Sequence, residues 1–200
     1  MFEKTDLLDA IAPTGRGLTA SSEQKTDILA KAARLEDRNP TPAPLQSPHL
    51  LNGDWQLLYT TSAELLGIDR VPLIALGDIY QCLRLEQQRV YNFAEISTAG
   101  ILGALVTVAA SFEVVSPKRV NVCFDRAVFG LQGLLGYRSP EQFIRLMAAQ
   151  EKFNLLQGID LSLGAQREPG WLEVTYLDSD LRIGRGNQGS LFVLRRRSVL

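Results

Sequence analysis

The sequence predicts a mainly β protein, an antiparallel β-barrel or sandwich with helices at its N-terminus, and therefore α+β overall. Before Gly53, apolar residues recur at the spacing of amphipathic helices. From Gly53 onward, apolar and polar residues alternate, as they do in strands that bury one face. Many strands with short connections are typical of antiparallel barrels and sandwiches.

The composition fits one soluble domain with a hydrophobic core. The chain has 200 residues, of which 46% are hydrophobic. Its 21 basic and 22 acidic residues are interspersed and give a formal net charge of -1. Because this balance creates no field that attracts phosphate backbones, we expect no nucleic-acid partner. Cys82 and Cys123 do not make a disulfide scaffold and are interpreted as small core residues.

The N-terminus does not look like a targeting segment. Glu3, Asp6 and Asp9 lie among the first residues, and no apolar signal region follows them. The longest uncharged run, 96–112, is marginal in length for a membrane span and is interrupted by glycines and polar residues. We therefore expect a cytoplasmic location. The basic run 195–197 is interpreted as a solvated strand end, with contact to an anionic lipid surface as the alternative.

Helices are predicted before the strands begin. Thr5 is placed as the cap of a short helix, and Ser21 forms a capping box with Gln24 at the start of a second. The second helix must pack on another surface through an apolar stripe. This stripe consists of Ile28, Leu29, Ala32 and Leu35. Pro40 ends the helix near Asn39, and the prolines that follow predict a stiff, extended linker.

Period-two alternation divides the rest of the chain. Strands are predicted at 53–61, 78–87, 89–97, 104–115, 119–129, 171–178, 180–185 and 189–196, with a weaker one at 158–163. A helix is predicted between Ser139 and Lys152, with Ser139 as its N-cap and Gln142 completing a capping box. The chain thus divides into a helical segment, residues 1–50, packed on a β-barrel domain, residues 51–200.

Parity along two strands predicts which side chains face the barrel interior. One inward face consists of Val106, Val108, Ala110 and Phe112. This face is apolar and partly small, so it lines either a ligand cavity or a close-packed core. In the next strand Phe124 and Arg126 share a face, so Arg126 points inward unless a bulge intervenes. Its partner is then a ligand carboxylate or phosphate, or an internal acid such as Asp178.

Two loops, 71–76 and 131–137, are unusually apolar. They are either a ligand portal or membrane-touching rim, or they are buried under the helices. Catalytic machinery is not recognisable: His49 is the only histidine, and it lies in the proline-rich segment. The sequence contains no metal-ligand cluster, nucleophile elbow or glycine-rich phosphate loop. No catalytic or metal-binding residue is therefore assigned, and no covalent cofactor is expected.

A Gly-x-Trp opens the first predicted strand, at Gly53 and Trp55. This signal resembles the lipocalin arrangement, in which the tryptophan closes the barrel base beneath an arginine, a contact of roughly 0.5–2 kcal/mol. Candidates for that arginine are Arg185, Arg195 and Arg196. Tyr59 follows Trp55 about 13 Å along the same face, at roughly 3.3 Å per residue, and is expected to line the cavity.

The residues after Trp55 make the resemblance more specific. The run 57–62, Leu-Leu-Tyr-Thr-Thr-Ser, is similar to a signature of the plastid lipid-associated protein family, also called plastoglobulins or fibrillins. The strongest similarity lies in a C-terminal motif. Its members are Tyr176, Asp178, Asp180, Arg182, Gly186 and Phe192. Segments 14–17 and 35–40 also fit the family, so the resemblance spans nearly the whole chain.

The resemblance implies a lipocalin-like barrel that associates with thylakoids or lipid bodies and binds isoprenoids, carotenoids, quinones or other lipids. It brings no agreed catalytic residues. The lack of a transit peptide and the insertion-like segment 136–158 indicate a cyanobacterial-type member, peripheral to the thylakoid membrane. We expect non-catalytic binding or carriage of a hydrophobic molecule. The alternatives are a pigment-handling enzyme similar to bilin lyases, and a structural coat or scaffold on lipid bodies.

Overall fold

Strands are the commonest elements of the computed structural model, which describes residues 2–62, 74–98, 103–150, 152–164 and 170–197. They are β1 (Gly53–Thr60), β2 (Ile74–Arg84), β3 (Arg89–Thr98), β4 (Ala104–Val114), β5 (Arg119–Leu131), β6 (Ile159–Ser162), β7 (Gly170–Leu177), β8 (Leu181–Gly186) and β9 (Leu191–Arg196). The helices are α1 (Phe2–Ile11), α2 (Ser22–Glu36), α3 (Pro48–Leu51), α4 (Gln132–Leu135) and α5 (Pro140–Ala149). The predicted fold class is confirmed, and every predicted strand is present with its ends shifted by a few residues.

The sheet closes on itself. Its order, β4-β3-β2-β1-β9-β8-β7-β5, ends on two strands that also pair with each other, so the antiparallel ring is complete. Strand β6 lies outside this ring. It pairs with β5 along residues 126–129, whereas β7 pairs with β5 along residues 119–122. Within the described part of the chain β6 has no second partner strand, so its free edge borders the wall where β5 and β7 separate.

Buried apolar side chains form one cluster inside the barrel and two on its outer face. On the wall formed by β1, β7, β8 and β9, the outer cluster lies under α1 and α2, where Ile28 joins Ile183 and Val193. On the wall formed by β2 to β5, the other outer cluster lies under α5, where Phe143 joins Phe93 and Leu105. The helices therefore cover two walls from outside and leave the interior to the inner cluster.

The second helix begins as predicted. The Ser21 side chain accepts a hydrogen bond from the Gln24 backbone N–H at 3.2 Å, and the Gln24 side chain accepts one from the Ser21 N–H at 2.9 Å. Of the apolar stripe, Ile28, Ala32 and Leu35 are buried. Leu29 is 36% exposed because it lies on the edge of the helix that faces solvent.

The cap predicted for the first helix is wrong. Thr5 lies inside α1, which begins at Phe2. The cap of α5 is partly as predicted, because Ser139 accepts a hydrogen bond from the Gln142 N–H at 3.3 Å. The Gln142 side chain, however, accepts from the Arg138 N–H at 3.3 Å instead of the Ser139 N–H. The reciprocal bond of the capping box is therefore displaced by one residue.

The proline-rich segment is not an extended linker. It contains a 3-10 turn, Pro44–Gln46, and then helix α3. Pro44 is buried, and the Leu45 N–H donates to the Pro117 carbonyl at 3.0 Å. Leu45 and Leu51 also belong to the inner cluster or pack against it. Apolar residues between the prolines thus hold this segment across the end of the barrel where β1 begins, which we call the base.

The insertion-like segment 136–158 lies on the outer wall. Its helix α5 covers β2 to β5 from outside. The apolar loop 131–137 is largely covered by this segment: Leu135 is buried and Tyr137 joins the cluster under α5, while Leu134 is 56% exposed. Of the other predicted apolar loop, 71–76, residues 71–73 lie outside the described residues, and residues 74–76 belong to β2 instead of a loop. Of the helices that the structure describes, none has both the length and the apolar character needed to cross a membrane.

Candidate functional site

The barrel interior holds a cavity of about 750 Å³. This is within the range of about 300–1,000 Å³ that is usual for small-molecule sites. Most of its lining is apolar and comes from inward residues of the strands. Examples are Ile79, Phe112, Val120, Val174 and Leu194. Of the two alternatives for the interior, a cavity or a close-packed core, the described residues form a cavity.

Trp55 closes the base of this cavity. Its side chain is fully buried, and its indole N–H donates to the Leu51 carbonyl in α3 at 3.0 Å. The guanidinium carbon of Arg196 lies 4.4 Å from the centroid of the Trp55 ring, so Arg196, one of the predicted candidates, is the arginine of the base. Arg196 also donates to the carbonyls of Ser179 and Asn52, each at 2.9 Å.

Gly53 has the backbone conformation that this contact needs. Its φ of 133° lies in a region that side chains rarely adopt. A Cβ at this position would lie 2.8 Å from Nη1 of Arg196. The glycine therefore allows Arg196 to pass close to the backbone on its way to Trp55.

Arg185 is not part of the base. It lies on the outer face of β8 and forms a bidentate ion pair with Glu36 at the end of α2, at 2.9 and 2.7 Å. Along β8, Leu181 and Ile183 face the helices with Arg185, whereas Arg182 and Gly186 line the cavity. Arg185 thus fastens α2 to the barrel, and the prediction that it belongs to the base is wrong.

A bulge in β1 turns Tyr59 away from the cavity. Leu57 pairs with Leu194, and Tyr59 pairs with the next residue of β9, Val193, so Leu58 is an extra residue. Leu57 belongs to the inner cluster, but the fully buried Tyr59 belongs to the cluster under α1 and α2. The parity that placed Tyr59 in the cavity fails because the extra residue exchanges the two faces.

Of the four β4 residues predicted to line the cavity, Phe112 is the one on its lining, and the prediction is wrong for the other three. Phe112 lines the cavity, and Ala110 belongs to the inner cluster, against which Val106 packs. Val108 is half-buried. On β5, Phe124 lines the cavity as predicted and is 44% exposed, so it lies where the cavity meets solvent.

A second bulge places Arg126 outside the barrel. Phe124 pairs with Ala110 and Arg126 with Ala109, so Asp125 is the extra residue. Arg126 points under α5, where its partner is Asp160, at 2.6 and 3.0 Å. The inward position predicted for Arg126 is therefore wrong, and its partner is an internal acid other than Asp178.

Asp160 is a buried acid held by this ion pair. Its side chain is 1% exposed. Burial opposes its ionisation, but the hydrogen bonds from Arg126 and from the Phe153 N–H outweigh burial and lower the pKa of Asp160. Arg126 also donates to the carbonyls of Met147 and Gln150 at 2.9 and 3.3 Å. The pair ties β5 and β6 to the end of α5 and has no contact with the cavity.

Arg182 is a charged residue that does lie inside the cavity, and it is buried there. It is 1% exposed, and its guanidinium carbon is 5.0 Å from the Trp55 ring centroid. Nη2 donates to the side-chain oxygen of Gln81, whose amide in turn donates to Asn92 at 3.0 Å. Nη1 has no hydrogen-bond partner among the described residues. Burial, and then the nearby charge of Arg196, lower the pKa of Arg182 to about 9.

The comparison with known proteins gives the family. A PAP_fibrillin family model matches residues 1–195. The chain belongs to the PAP_fibrillin family. The family resemblance predicted from the motifs is confirmed. No solved structure matches the chain.

Several curated relatives of this PAP_fibrillin chain are plant proteins. It is 35% identical to the probable plastid-lipid-associated protein 2, chloroplastic, of Arabidopsis thaliana, over 96% of this chain and 69% of the relative. It is 36% identical to plastoglobulin-1, chloroplastic, of Pisum sativum, over 96% of this chain and 60% of the relative. It is 33% identical to the chromoplast-specific carotenoid-associated protein of Cucumis sativus, over 96% of this chain and 66% of the relative. These names give no support to the expected cytoplasmic location.

In this PAP_fibrillin protein the residues of the C-terminal motif divide between the two faces of the barrel. Arg182, Gly186 and Phe192 line the cavity. Arg182 was predicted only as a motif residue, because a charged side chain that alternates with Leu181 and Ile183 ordinarily faces solvent. Gln81 and Asn92, which also resemble the family's motifs, line the cavity too, and their inward position was not predicted for the same reason.

The other motif residues of this PAP_fibrillin protein fasten α1 to the turn between β7 and β8. Asp178 accepts hydrogen bonds from Tyr176 at 2.7 Å and from Lys4 at 2.8 Å. It also accepts from the backbone N–H groups of Asp180 and Leu181. Burial opposes ionisation of Asp178, but these hydrogen bonds outweigh it and lower its pKa to about 2. Asp178 and its neighbours are therefore structural.

Proposed function

We propose that this protein binds one hydrophobic molecule, an isoprenoid, carotenoid, quinone or other lipid, in the barrel cavity and carries it without catalysis at lipid-body or thylakoid surfaces. The observation that carries the proposal is the cavity of about 750 Å³ with its predominantly apolar lining. The relatives described as lipid-associated and carotenoid-associated support the same reading.

The cavity reaches solvent beside the free edge of β6. Phe124 and Trp171 lie on its lining there, together with Leu163, which follows β6. This is the part of the wall where β5 leaves β7 to pair with β6. An opening bounded by aromatic and aliphatic side chains suits the passage of an apolar ligand.

Exposed apolar side chains surround β6 and support contact with a lipid surface. Leu155 and Leu156 precede the strand and are 92% and 86% exposed. Ile159 and Leu161 of β6, with Phe129 of β5, are each about half exposed. Apolar groups clustered this way on a water-facing surface mark an interaction site. We call these five residues the β6 patch.

Ligand binding is tested by filling the cavity. Val122→Trp places a large side chain on the cavity lining, and Val114→Trp makes the same change at a residue that is 50% exposed. Organic extraction of freshly purified protein with mass spectrometry, and titration with decyl-plastoquinone followed by tryptophan fluorescence, measure binding. We expect Val122→Trp to lose binding and Val114→Trp to retain it. Equal binding by both variants, or no binding by the unaltered protein, contradicts the proposal.

Contact with a lipid surface is tested separately by flotation with vesicles of plastid galactolipids. Replacing both Leu155 and Leu156 with Ser should reduce the fraction of protein that floats. The control Val115→Ser alters a residue that is 49% exposed in the turn between β4 and β5 and should float normally. Flotation that is insensitive to the Leu155 and Leu156 changes excludes the β6 patch as the contact surface.

The β6 patch also favours a second candidate function, a coat or scaffold on lipid bodies. A coat requires the patch but not an empty cavity, whereas a carrier requires both. The Val122→Trp variant distinguishes them, because its filled cavity leaves the exposed patch unchanged. If the protein acts as a coat, this variant protects lipid droplets from coalescence as well as the unaltered protein does.

A further inference from the structure

We propose that the molecule bound in this cavity is an amphiphile with a carboxylate head, which pairs with Arg182 at the buried end of the cavity. The inference rests on the proposed function, since it requires a ligand in the barrel, and it narrows the class of that ligand. It assigns to Arg182 the role of head-group receptor and leaves closure of the base to Trp55 and Arg196.

The charge of Arg182 has no counter-charge in the described part of the chain. One side of the guanidinium donates to Gln81, which is neutral, and Nη1 donates to nothing there. The other arginines buried against this barrel differ. Arg126 and Arg185 each bind both oxygens of one carboxylate. A desolvated cation needs such a partner, so the open side of Arg182 fits an anion that enters with the ligand.

Closure of the base does not account for Arg182. The Trp55 ring already has a cation near its face, since Arg196 lies closer to it than Arg182 does, at 4.4 Å against 5.0 Å. Arg196 is also held by backbone carbonyls, including those of Asn52 and Ser179. The base is therefore complete without Arg182, which lies on the cavity side and lines it.

The surroundings of Arg182 fit one polar end and one long apolar end. Gln81 and Asn92 lie on the inner face beside it and extend its hydrogen-bond chain. Toward the opening the lining changes to Leu172, Phe192 and Phe124. A carboxylate at Arg182 would thus direct an apolar tail along this wall toward β6, so the ligand would enter tail-last.

The test compares two probes that share one tail and differ in the head group, cis-parinaric acid with its carboxylate and the neutral methyl ester, by their fluorescence on binding. The unaltered protein should bind the acid about 10- to 100-fold more tightly than the ester, the scale of a charged hydrogen bond. Arg182→Met removes the charge but retains an apolar stem. It should reduce the affinity for the acid to that for the ester, and the affinity for the ester should stay unchanged. Arg182→Lys should keep part of the preference. The control Arg195→Met removes an exposed charge of β9 and should keep all of it.

The outcomes separate this inference from the function on which it rests. Equal binding of acid and ester by the unaltered protein overturns the inference but leaves lipid binding intact. Failure of both probes to bind contradicts the proposed function. An Arg182→Met protein that melts lower but keeps the acid preference shows that Arg182 is only structural. The comparison of acid and ester in the unaltered protein already tests the inference. It therefore remains testable even if a variant does not fold.

Discussion

The buried and half-buried arginines of this barrel differ in what holds them. Arg126 and Arg185 form ion pairs that attach helices to the outer wall, through Asp160 and Glu36. Arg196 is held by carbonyl oxygens under the barrel base. Truncating an arginine therefore affects stability differently at these sites. Loss of Arg126 or Arg185 leaves a carboxylate without its counter-charge, whereas loss of Arg196 leaves carbonyl oxygens that water can solvate.

Arg126→Met should leave Asp160 buried without its counter-charge. Because the Asp160 side chain is 1% exposed, the free energy of unfolding should fall by about 3–5 kcal/mol. Urea denaturation measures the change. Arg145→Met is a matched control on α5, since Arg145 forms an exposed pair with Glu141 and should contribute less than about 1 kcal/mol. A small effect of Arg126→Met would contradict the structural role, and ligand affinity should not change in either variant.

Trp55→Ala should destabilise the protein by about 3–5 kcal/mol, since it opens a void between α3 and the base. The indole also supplies the hydrogen bond to Leu51 and the ring beneath Arg196. Thermal melting and intrinsic fluorescence of Trp171 report the change. A variant that keeps its stability but loses the ligand would show that Trp55 contacts the ligand instead of closing the base.

Single-residue positions were predictable only where the alternation is unbroken. Trp55 and Phe112 were placed correctly, because Trp55 precedes the extra residue of β1 and β4 contains no extra residue. Tyr59 and Arg126 were not, since each follows one extra residue in its strand. A bulge changes the face of every later residue but has no compulsory residue type, so it leaves little trace in one sequence.

At the scale of elements, α2 is fixed by an apolar stripe and by one ion pair at its C-terminal end. Leu35 contributes to the stripe with 5% exposure. Glu36, the next residue, binds Arg185 of β8. The capping box at Ser21 fixes the other end of the helix. The start of the helix was predictable because the capping box is local, whereas the ion pair and the docking wall depend on strands far away in the sequence. The helix ends at Glu36, earlier than the predicted end near Asn39.

Leu35→Ala should lower the free energy of unfolding by about 2–5 kcal/mol, because it removes buried methyl groups at the contact with the barrel. Leu29→Ala makes the same change in the same helix, at a residue that is 36% exposed. Its effect should stay below about 1 kcal/mol. Guanidinium denaturation of the two variants decides the point, and similar losses in both would mean that burial of the stripe does not hold α2.

The proline-rich segment shows the limit of local signals at this scale. Its prolines predict an extended chain, and they do begin the 3-10 turn and α3. What the prolines do not reveal is that Leu45 and Leu51 meet the inner cluster. That contact depends on the closure of the barrel, which no window of a few residues can indicate.

At the scale of the whole molecule, the free energy of unfolding should fall in acid. The pKa of Asp178 is about 2 in the folded protein. In the unfolded chain an aspartate titrates near about 3.9, so the stabilisation is complete above about pH 4 and is lost as the pH falls toward about 2. The lowered pKa values of Asp160 and Glu173 act in the same direction. Urea denaturation between about pH 5 and about pH 2 measures the loss.

Asp178→Asn should flatten this dependence and lower the stability at neutral pH, since the amide cannot replace the charge that Lys4 neutralises. Asp9→Asn changes an exposed aspartate of α1 and is the control. An acid profile that Asp178→Asn leaves unchanged would show that the turn between β7 and β8 does not couple folding to protonation.

The architecture of the whole molecule was more predictable than its interior. Alternation over many strands indicates an antiparallel barrel or sandwich, and the family resemblance implies the barrel, which the closed sheet confirms. The cavity was only one of two alternatives, because inward small residues fit both a cavity and a packed core. The position of Arg182 could not be predicted, because a charged side chain on a strand ordinarily faces solvent.

The two edges of β5 are paired over very different lengths. Its ladder with β7 covers only residues 119–122, whereas its ladder with β4 runs from Val120 to Leu131. At the short ladder Glu173 of β7 binds both Arg119 and Lys118 at 2.7 and 2.8 Å, and these cations are about half exposed. Such contacts weaken as salt screens them. Local opening of the barrel should therefore begin at the ladder between β5 and β7. Higher ionic strength should then speed amide hydrogen exchange in this ladder and the dissociation of a bound ligand through it.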